Sequence, residues 1–346
     1  MWIEKVPDTF RDEKSNSLLS SFFQDLTLLE MHKNTKELVI DSLRALLNKQ
    51  TPQRTPLLEE LMEKKREKKL KILNLQEYEP QALAEQITII DYQLFTSLPV
   101  IDVLNFHGIK SEQNQPSERI SQITNRFETL VNWFSCLILQ EITFEKRFKM
   151  LEFFIALLQT SFYLKNFNLC YIIINAFDSP AVARLYRCWE VFISFFFLFV
   201  KGINSKLLLQ RVSAEHKQQV EEIKKQFSPT HNFAEYRKLL RRTSPPGIPV
   251  LGLYLRDLAL IKDGNPDLIC GLINFQKRTY IAKILIDIKR FQATPFEIQL
   301  DPSLAFHLYH LRYVRQTPDE LLIRSEKIEP TIPETAIQSL LLNEKL

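Results

Sequence analysis

The chain has 346 residues, of which 45% are hydrophobic and 25% charged. That is enough apolar material for one large core or two smaller ones, and it excludes a disordered tail or a small cross-linked fold. The net charge of +4 falls well short of the basic stripe that a nucleic-acid binder carries, so nucleic acid is not an expected partner.

The opening MWIEKVPDTFRDEK mixes charges with a proline and has no apolar run of the kind a secretory signal needs, so a cytoplasmic location is expected. Helical spacing is expected over 18–30 and 36–48. A connector follows, opening with TPQRTP and continuing through the charge run EKKREKKLK at 63–71, a pattern of a solvated helical linker. Another helix is expected over 81–104. Ile120, Ile123, Phe127, Leu130, Val131, Phe134, Leu137 and Ile138 then step by three and four, as do Phe148, Leu151, Phe154, Ile155, Leu158 and Phe162, and each set describes one buried helical stripe. Further helices are expected over 167–177, 183–190, 214–226, 233–242, 272–292 and 302–313. Between them, Val191 to Val200 reads VFISFFFLFV, too short for the roughly 20 residues that cross a bilayer. No set of alternating strands competes, so the fold is expected to be all-α around one main core. The cysteines, Cys136, Cys170, Cys188 and Cys270, lie 34, 18 and 82 residues apart. Neighbours therefore form no zinc spacing, and all are expected to be reduced core thiols.

Glycine is the informative count. Only six occur, and four of them, Gly247, Gly252, Gly264 and Gly271, share one window with Pro245, Pro246, Pro249 and Pro266. That segment is expected to need backbone geometry that ordinary residues disfavour. Gly247 and Gly252 match half of a phosphate loop, but Leu253 and Tyr254 stand where Lys and Ser/Thr are required. His307 and His310 share a helix face without a third ligand in sequence. No nucleophile elbow, H-E-x-x-H or dinucleotide fingerprint occurs in the chain, so action by binding, without cofactor, metal or covalent chemistry, is expected. Within the window, Pro249 is suited to open a helix and Gly264-Asn265-Pro266 to stop it, with Gly or Asn in a left-handed cap. A second helix is expected from about Leu272, with Ile273, Tyr280, Ile281, Ile284, Leu285 and Ile288 facing inward. On the first helix of this hairpin Ala259 and Asp263 share a face. On the residues alone, an ordinary helical hairpin with an exposed aspartate is the favoured reading.

The stretch PPGIPVLGLYLRDLALIKDGNPD, continuing through GLINFQKRTYIAKILIDIKRFQATPF, resembles the helical hairpin of the Cdc25-homology catalytic domain of Ras guanine-nucleotide exchange factors. Three more blocks resemble that family in its order: ALAEQITIIDYQLFTSLPVIDVLN at 82–105, RFETLVNWFSCLILQEI through KNFNLCYIIINAFDSPAVARLYRCWE at 126–190, and IRSEKIEP at 323–330. The resemblance implies a catalytic domain over 80–330 with an atypical apolar insertion at 191–211. It also implies the C-terminal part of a Ras exchanger motif domain over 1–50, with a linker at 51–79 and a tail at 331–346. It further implies a regulator that opens the nucleotide cleft of a Ras, Rap or Ral type GTPase, in the cytoplasm at the inner face of a membrane to which it is recruited indirectly.

By the same resemblance, Ala259 faces the magnesium site of the GTPase and Asp263 the phosphate site, while Asn125, Asp178, Arg184, Phe233, Val250 and Asn265 contact the GTPase. A carboxylate where a phosphate must sit opposes the nucleotide by charge, and a factor that prefers the nucleotide-free state lowers nucleotide affinity by linkage. The family often has a larger blocker than alanine, and Glu as the acid. Asp178 has a second reading, as the cap of a helix beginning near Ala181. The alternatives to an exchange factor are a scaffold that holds a GTPase without emptying it and a membrane adaptor using the Phe-rich tract.

Overall fold

The computed structural model of the protein describes residues 73–106, 116–189 and 214–330. The expected exchanger-motif segment, most of the linker, the 191–211 insertion and the 331–346 tail lie outside the described residues.

The body is helical, as the apolar spacing predicts. The helix expected over 81–104 is broken in two, α1 (Pro80–Thr96) and α2 (Val100–Leu104). Pro99, which has no N–H to continue a ladder and restricts Leu98 before it, stands at the N-cap of α2. The two long stripes become α3 (Glu118–Gln140) and α4 (Phe144–Tyr163), followed by α5 (Phe167–Asp178) and the single turn α6 (Pro180–Ala183). Side-chain caps set several starts: Ser117 Oγ accepts the Ile120 N–H at 3.3 Å, and Asn166 Oδ1 accepts the Leu169 N–H at 3.0 Å. After the second gap come α7 (Ala214–Gln226), α8 (Thr230–Arg242), α9 (Leu251–Gly264), α10 (Phe275–Gln292), α11 (Pro302–Tyr309) and α12 (Pro318–Ile328). The helix expected over 302–313 therefore stops early, at His310, and α12 restarts on a capping box between Thr317 and Glu320. Among the described residues the strands amount to β1 (Leu268–Ile269) and β2 (Leu272–Ile273), an antiparallel pair between α9 and α10.

Helix α1 is buried on nearly every side. Leu83, Ile87 and Ile90 have no exposed surface, and α1 packs against α4 and α11. A helix so placed must satisfy its polar side chains internally. Gln86 donates to the Gln299 carbonyl at 2.8 Å and accepts from the Asp301 N–H at 2.8 Å, while Thr88 accepts from Asn166 Nδ2 at 3.0 Å. Asp91 is paired with Arg126 of α3 at 2.8 Å, and Arg126 also donates to the Leu308 carbonyl of α11 at 3.1 Å. Leu75, inside the stretch read as linker, is 1% exposed and joins this core.

The far end is fastened by a second buried pair. The Arg147 guanidinium of α4 donates to the Glu141 and Ile142 carbonyls at 2.7 and 3.1 Å and lies 3.7 Å from Glu329, beyond α12. Glu329 in turn accepts from the Arg187 N–H at 3.2 Å.

Removing one member of a buried pair strands the other's charge, which costs about 3–5 kcal/mol. Arg126→Ala is expected to lower the denaturant midpoint by that equivalent while leaving the slope of the unfolding transition unchanged; a midpoint equal to wild type would show that Asp91 finds water instead.

Candidate functional site

Helices α9 and α10 pack on each other and form the expected hairpin. Its base is held firmly. The Val250 N–H, at the N-cap of α9, donates to the hydroxyl of Tyr236 at 2.7 Å, and burial pushes that phenol well above its ordinary range. Asp257 pairs with Arg237 of α8 at 2.6 Å. At the other foot, Gln292 donates to the Phe95 and Leu98 carbonyls at 2.7 and 3.0 Å, and Arg290 donates to the Thr243 and Leu240 carbonyls at 3.2 and 3.0 Å. Gly247, just before α9, sits at a close approach: a Cβ there would lie 3.3 Å from the Phe291 ring and 3.4 Å from the Lys165 carbonyl, so its neighbours would have to give by a few tenths of an ångström.

Outward along the hairpin, burial falls away. Leu251, Leu255 and Leu258 are buried, Ala259 is half-buried and Asp263 is exposed. Helix α9 ends at Gly264, but the expected left-handed cap is absent. Asn265 is extended (φ −132°, ψ 126°) and instead donates its side-chain amide to the Ile261 carbonyl at 2.9 Å. Pro249 likewise precedes the cap rather than opening the helix. The left-handed residues are at the tip, Cys270 (φ 52°) and Gly271 (φ 78°), where they turn β1 into β2.

Three expectations about the tip are corrected. The second helix starts at Phe275, capped by Asn274, because Leu272 and Ile273 are taken by β2. Ile273 and Tyr280 are exposed rather than inward, whereas Ile281, Ile284 and Ile288 are buried as expected. Cys270 is an exposed thiol, unlike the other three cysteines. The finger is thus apolar and open to solvent, with Leu268, Ile269, Leu272, Ile273 and Phe275 each more than half exposed. Apolar pairs flanking Cys270-Gly271 were the available signal for it.

The tip is stiffened from within by Lys277, which is 5% exposed. Its ammonium donates to the Lys262 and Asn265 carbonyls at 2.9 and 2.6 Å and lies 3.2 Å from Asp267, which Arg278 also pairs at 2.7 Å. Nothing in the sequence distinguishes this lysine from the other cations. Burial works to raise the Asp267 carboxyl, but the Lys277 hydrogen bond and the charges of Arg278 and Lys277 together outweigh it and hold the carboxyl below its usual range.

The remaining candidates are dispersed. Phe233 and Val250, 5% and 2% exposed, are core side chains at the hairpin base. The Phe233 ring packs edge-on to Tyr171 at 6.1 Å and lies 5.0 Å beneath the Arg256 guanidinium. It is delivered by an unusual turn, since His231, Asn232 and Phe233 are all left-handed (φ 50°, 56° and 58°), so regular helix in α8 begins only after Phe233. Such geometry costs roughly 1–2 kcal/mol per residue without glycine. Asn125 is exposed on α3 and lines a groove of about 680 Å³ between α3 and the Tyr309–Tyr313 segment. Arg184 donates to Ser325 of α12 at 3.2 Å. Asp178 is the last residue of α5 and pairs with Lys224 at 2.8 Å; Ser179, not Asp178, occupies the N-cap of α6. The structure therefore groups Ala259, Asp263 and Asn265 on the hairpin, sets Phe233 and Val250 at its base, and leaves Asn125, Asp178 and Arg184 on the body.

Residues 82–279, more than half of the chain, match the model of the RasGEF domain. The chain belongs to the RasGEF family. It is 28% identical over 262 residues to Ras guanine nucleotide exchange factor K of Dictyostelium discoideum, a match covering 72% of this chain and 16% of that protein. It is 29% identical over 252 residues to Ras-specific guanine nucleotide-releasing factor 2 of Mus musculus (72% and 19%), and 30% identical over 251 residues to Ras guanine nucleotide exchange factor B of Dictyostelium discoideum (72% and 15%). The chain thus spans less than a fifth of the length of these relatives. The RasGEF domain is all-α in this chain, and among the described residues no helix is long and apolar enough to cross a membrane.

A carboxylate whose folded-state pKa is depressed contributes order that is present above its unfolded value and is lost as the pH falls through the folded one. Acidification below the ordinary carboxylate range is therefore expected to loosen the finger by protonating Asp267. Asp267→Asn is expected to loosen it already at neutral pH, read as faster amide hydrogen exchange over 266–274 with the body unchanged.

Proposed function

We propose that this chain promotes GDP release from a Ras-family small GTPase by presenting the α9–α10 hairpin to the nucleotide cleft. In this reading Ala259 approaches the magnesium site and Asp263 the phosphate site. One observation carries it: in a chain of the RasGEF family, the half-buried Ala259 and the exposed Asp263 lie one helical turn apart toward the free end of a hairpin whose base is locked to the body.

The chemistry needs no covalent step. A carboxylate brought to the phosphate position repels the bound nucleotide. Any binding energy realised only with the empty GTPase is subtracted from nucleotide affinity, and a few kcal/mol suffices for a large acceleration. Phe233 and Val250 serve this reading by seating the hairpin, since both are buried at its base. Asn125, on the groove wall, supplies a polar contact at the edge of the docking face, with Asp178 and Arg184 on the neighbouring surface. The partner class follows from the relatives, which are named for Ras, and the activity would be exerted at the inner face of the membrane that carries the GTPase.

The test is release of a fluorescent GDP analogue from Ras, Rap, Ral and Rho type GTPases under catalytic amounts of the chain. One Ras-subfamily member is expected to be emptied, and Asp263→Ala, at an exposed position that leaves the fold intact, is expected to slow release at least tenfold, about 1.4 kcal/mol. Stable binding without release would establish the scaffold reading instead. Phe233→Ala is a different probe, because truncating a buried phenylalanine costs about 3–5 kcal/mol of stability; its expected effect is on thermal unfolding first and on exchange as a consequence.

A further inference from the structure

The hairpin's fastenings described so far are either at its base or internal to its tip. From Leu251 to Asp263 α9 runs about 18 Å at 1.5 Å per residue, so a hairpin gripped at the base alone would swing its reactive end through a wide arc. Among the described residues, Lys262 adds a polar tie from the outer end to the body. Lys262, immediately before Asp263, is half-buried and donates its ammonium to the carbonyl of Leu104 and, at 2.8 Å, to that of Phe106. Leu104 is the last residue of α2, and α2 packs against α10. The final carbonyls of a helix have no intrahelical partner and favour a cation, which applies to Leu104; the Phe106 carbonyl, two residues past the helix, supplies the second hydrogen bond.

We infer that Lys262 is a positioning residue: its ammonium, clamped on the Leu104 carbonyl that ends α2 and on the Phe106 carbonyl just beyond it, holds the outer turn of α9 and so fixes where Asp263 is presented. The proposal rests on the exchange reading for its functional consequence, while the clamp itself stands on the geometry. Lys277 and Lys262 divide the work. Lys277 binds the Lys262 carbonyl and keeps α9 in register with α10, whereas the Lys262 side chain sets the pair against the body. An ammonium suits the task because it offers three donors on a flexible stem and reaches two carbonyls from one position.

The experiment compares the full chain with Lys262→Met, which keeps the stem and removes the donors, with Lys262→Arg, which restores them, and with Lys283→Met, which removes a charge from an exposed site on α10. Amide hydrogen exchange over 259–274 and release of a fluorescent GDP analogue are both measured, the latter as a function of GTPase concentration. Lys262→Met is expected to speed hairpin amide exchange several-fold and to lower the maximal release rate about tenfold, with the half-saturating GTPase concentration within twofold of wild type. Lys262→Arg is expected to recover most of both, and Lys283→Met to match wild type. Unchanged hairpin amides in Lys262→Met would overturn the clamp. A rise confined to the half-saturating concentration would overturn it also, by making Lys262 a direct contact, and an equal loss in Lys283→Met would reduce the effect to charge. If wild type releases no nucleotide while the hairpin amides still respond, the clamp stands and the exchange reading fails.

Discussion

The ion pair between Asp91 and Arg126 is the constraint around which the body is arranged. It joins α1 to α3 inside the core, and the same guanidinium reaches the Leu308 carbonyl at the far side of the chain. Because α1 is buried on nearly all faces, its polar side chains work as fixed sockets: Gln86 receives the segment that enters α11, Thr88 receives the Asn166 cap of α5, and Asp91 receives α3. Three elements distant in sequence are thereby set at one place. The groove bearing Asn125 and the foot of the hairpin both inherit their position from that arrangement.

Against this fixed body the hairpin shows a graded attachment. At its foot, Tyr236, Arg290 and Gln292 satisfy backbone groups that burial would otherwise leave unpaired. Beyond Leu258 burial is only partial, with Ala259 and Ile261 packed on the edge of the core, and the outermost residues are apolar and uncovered. A firmly held root with a sparsely held end places local opening at the tip, where buried apolar contacts are fewest.

Much of this was legible in the sequence, and the reasons for the remainder are physical. The stripes through Phe134 and Phe154 announced α3 and α4 because core packing imposes a 3.6-residue period over five or six turns. The hairpin was visible through its Gly/Pro punctuation, yet that punctuation overstated the need for unusual backbone. Gly252 and Gly264 would each accept a Cβ with nothing within 4 Å, and among the described glycines only Gly271 is left-handed. The reverse error occurs at His231–Phe233, where three residues take left-handed geometry with no glycine to mark it. The break at Pro99 was readable from proline chemistry, whereas the helix end at His310 carries no such marker. The tasks of Lys262 and Lys277 were invisible for a different reason. Their acceptors are backbone carbonyls, which have no sequence identity, so a clamping lysine and a solvated one read alike.

The placement of the four thiols has a practical consequence. Burial raises the pKa of Cys136 and Cys170, and it pushes Cys188 up to about 11 even though the Arg147 beside it pulls the other way. Thiols that are both covered and protonated react slowly with electrophiles. Cys270 sits uncovered in the turn between β1 and β2. A maleimide dye or spin label added to the unmodified protein would therefore collect at the fingertip, putting a reporter at the outer end of the hairpin with no engineered cysteine and no need to remove the native ones.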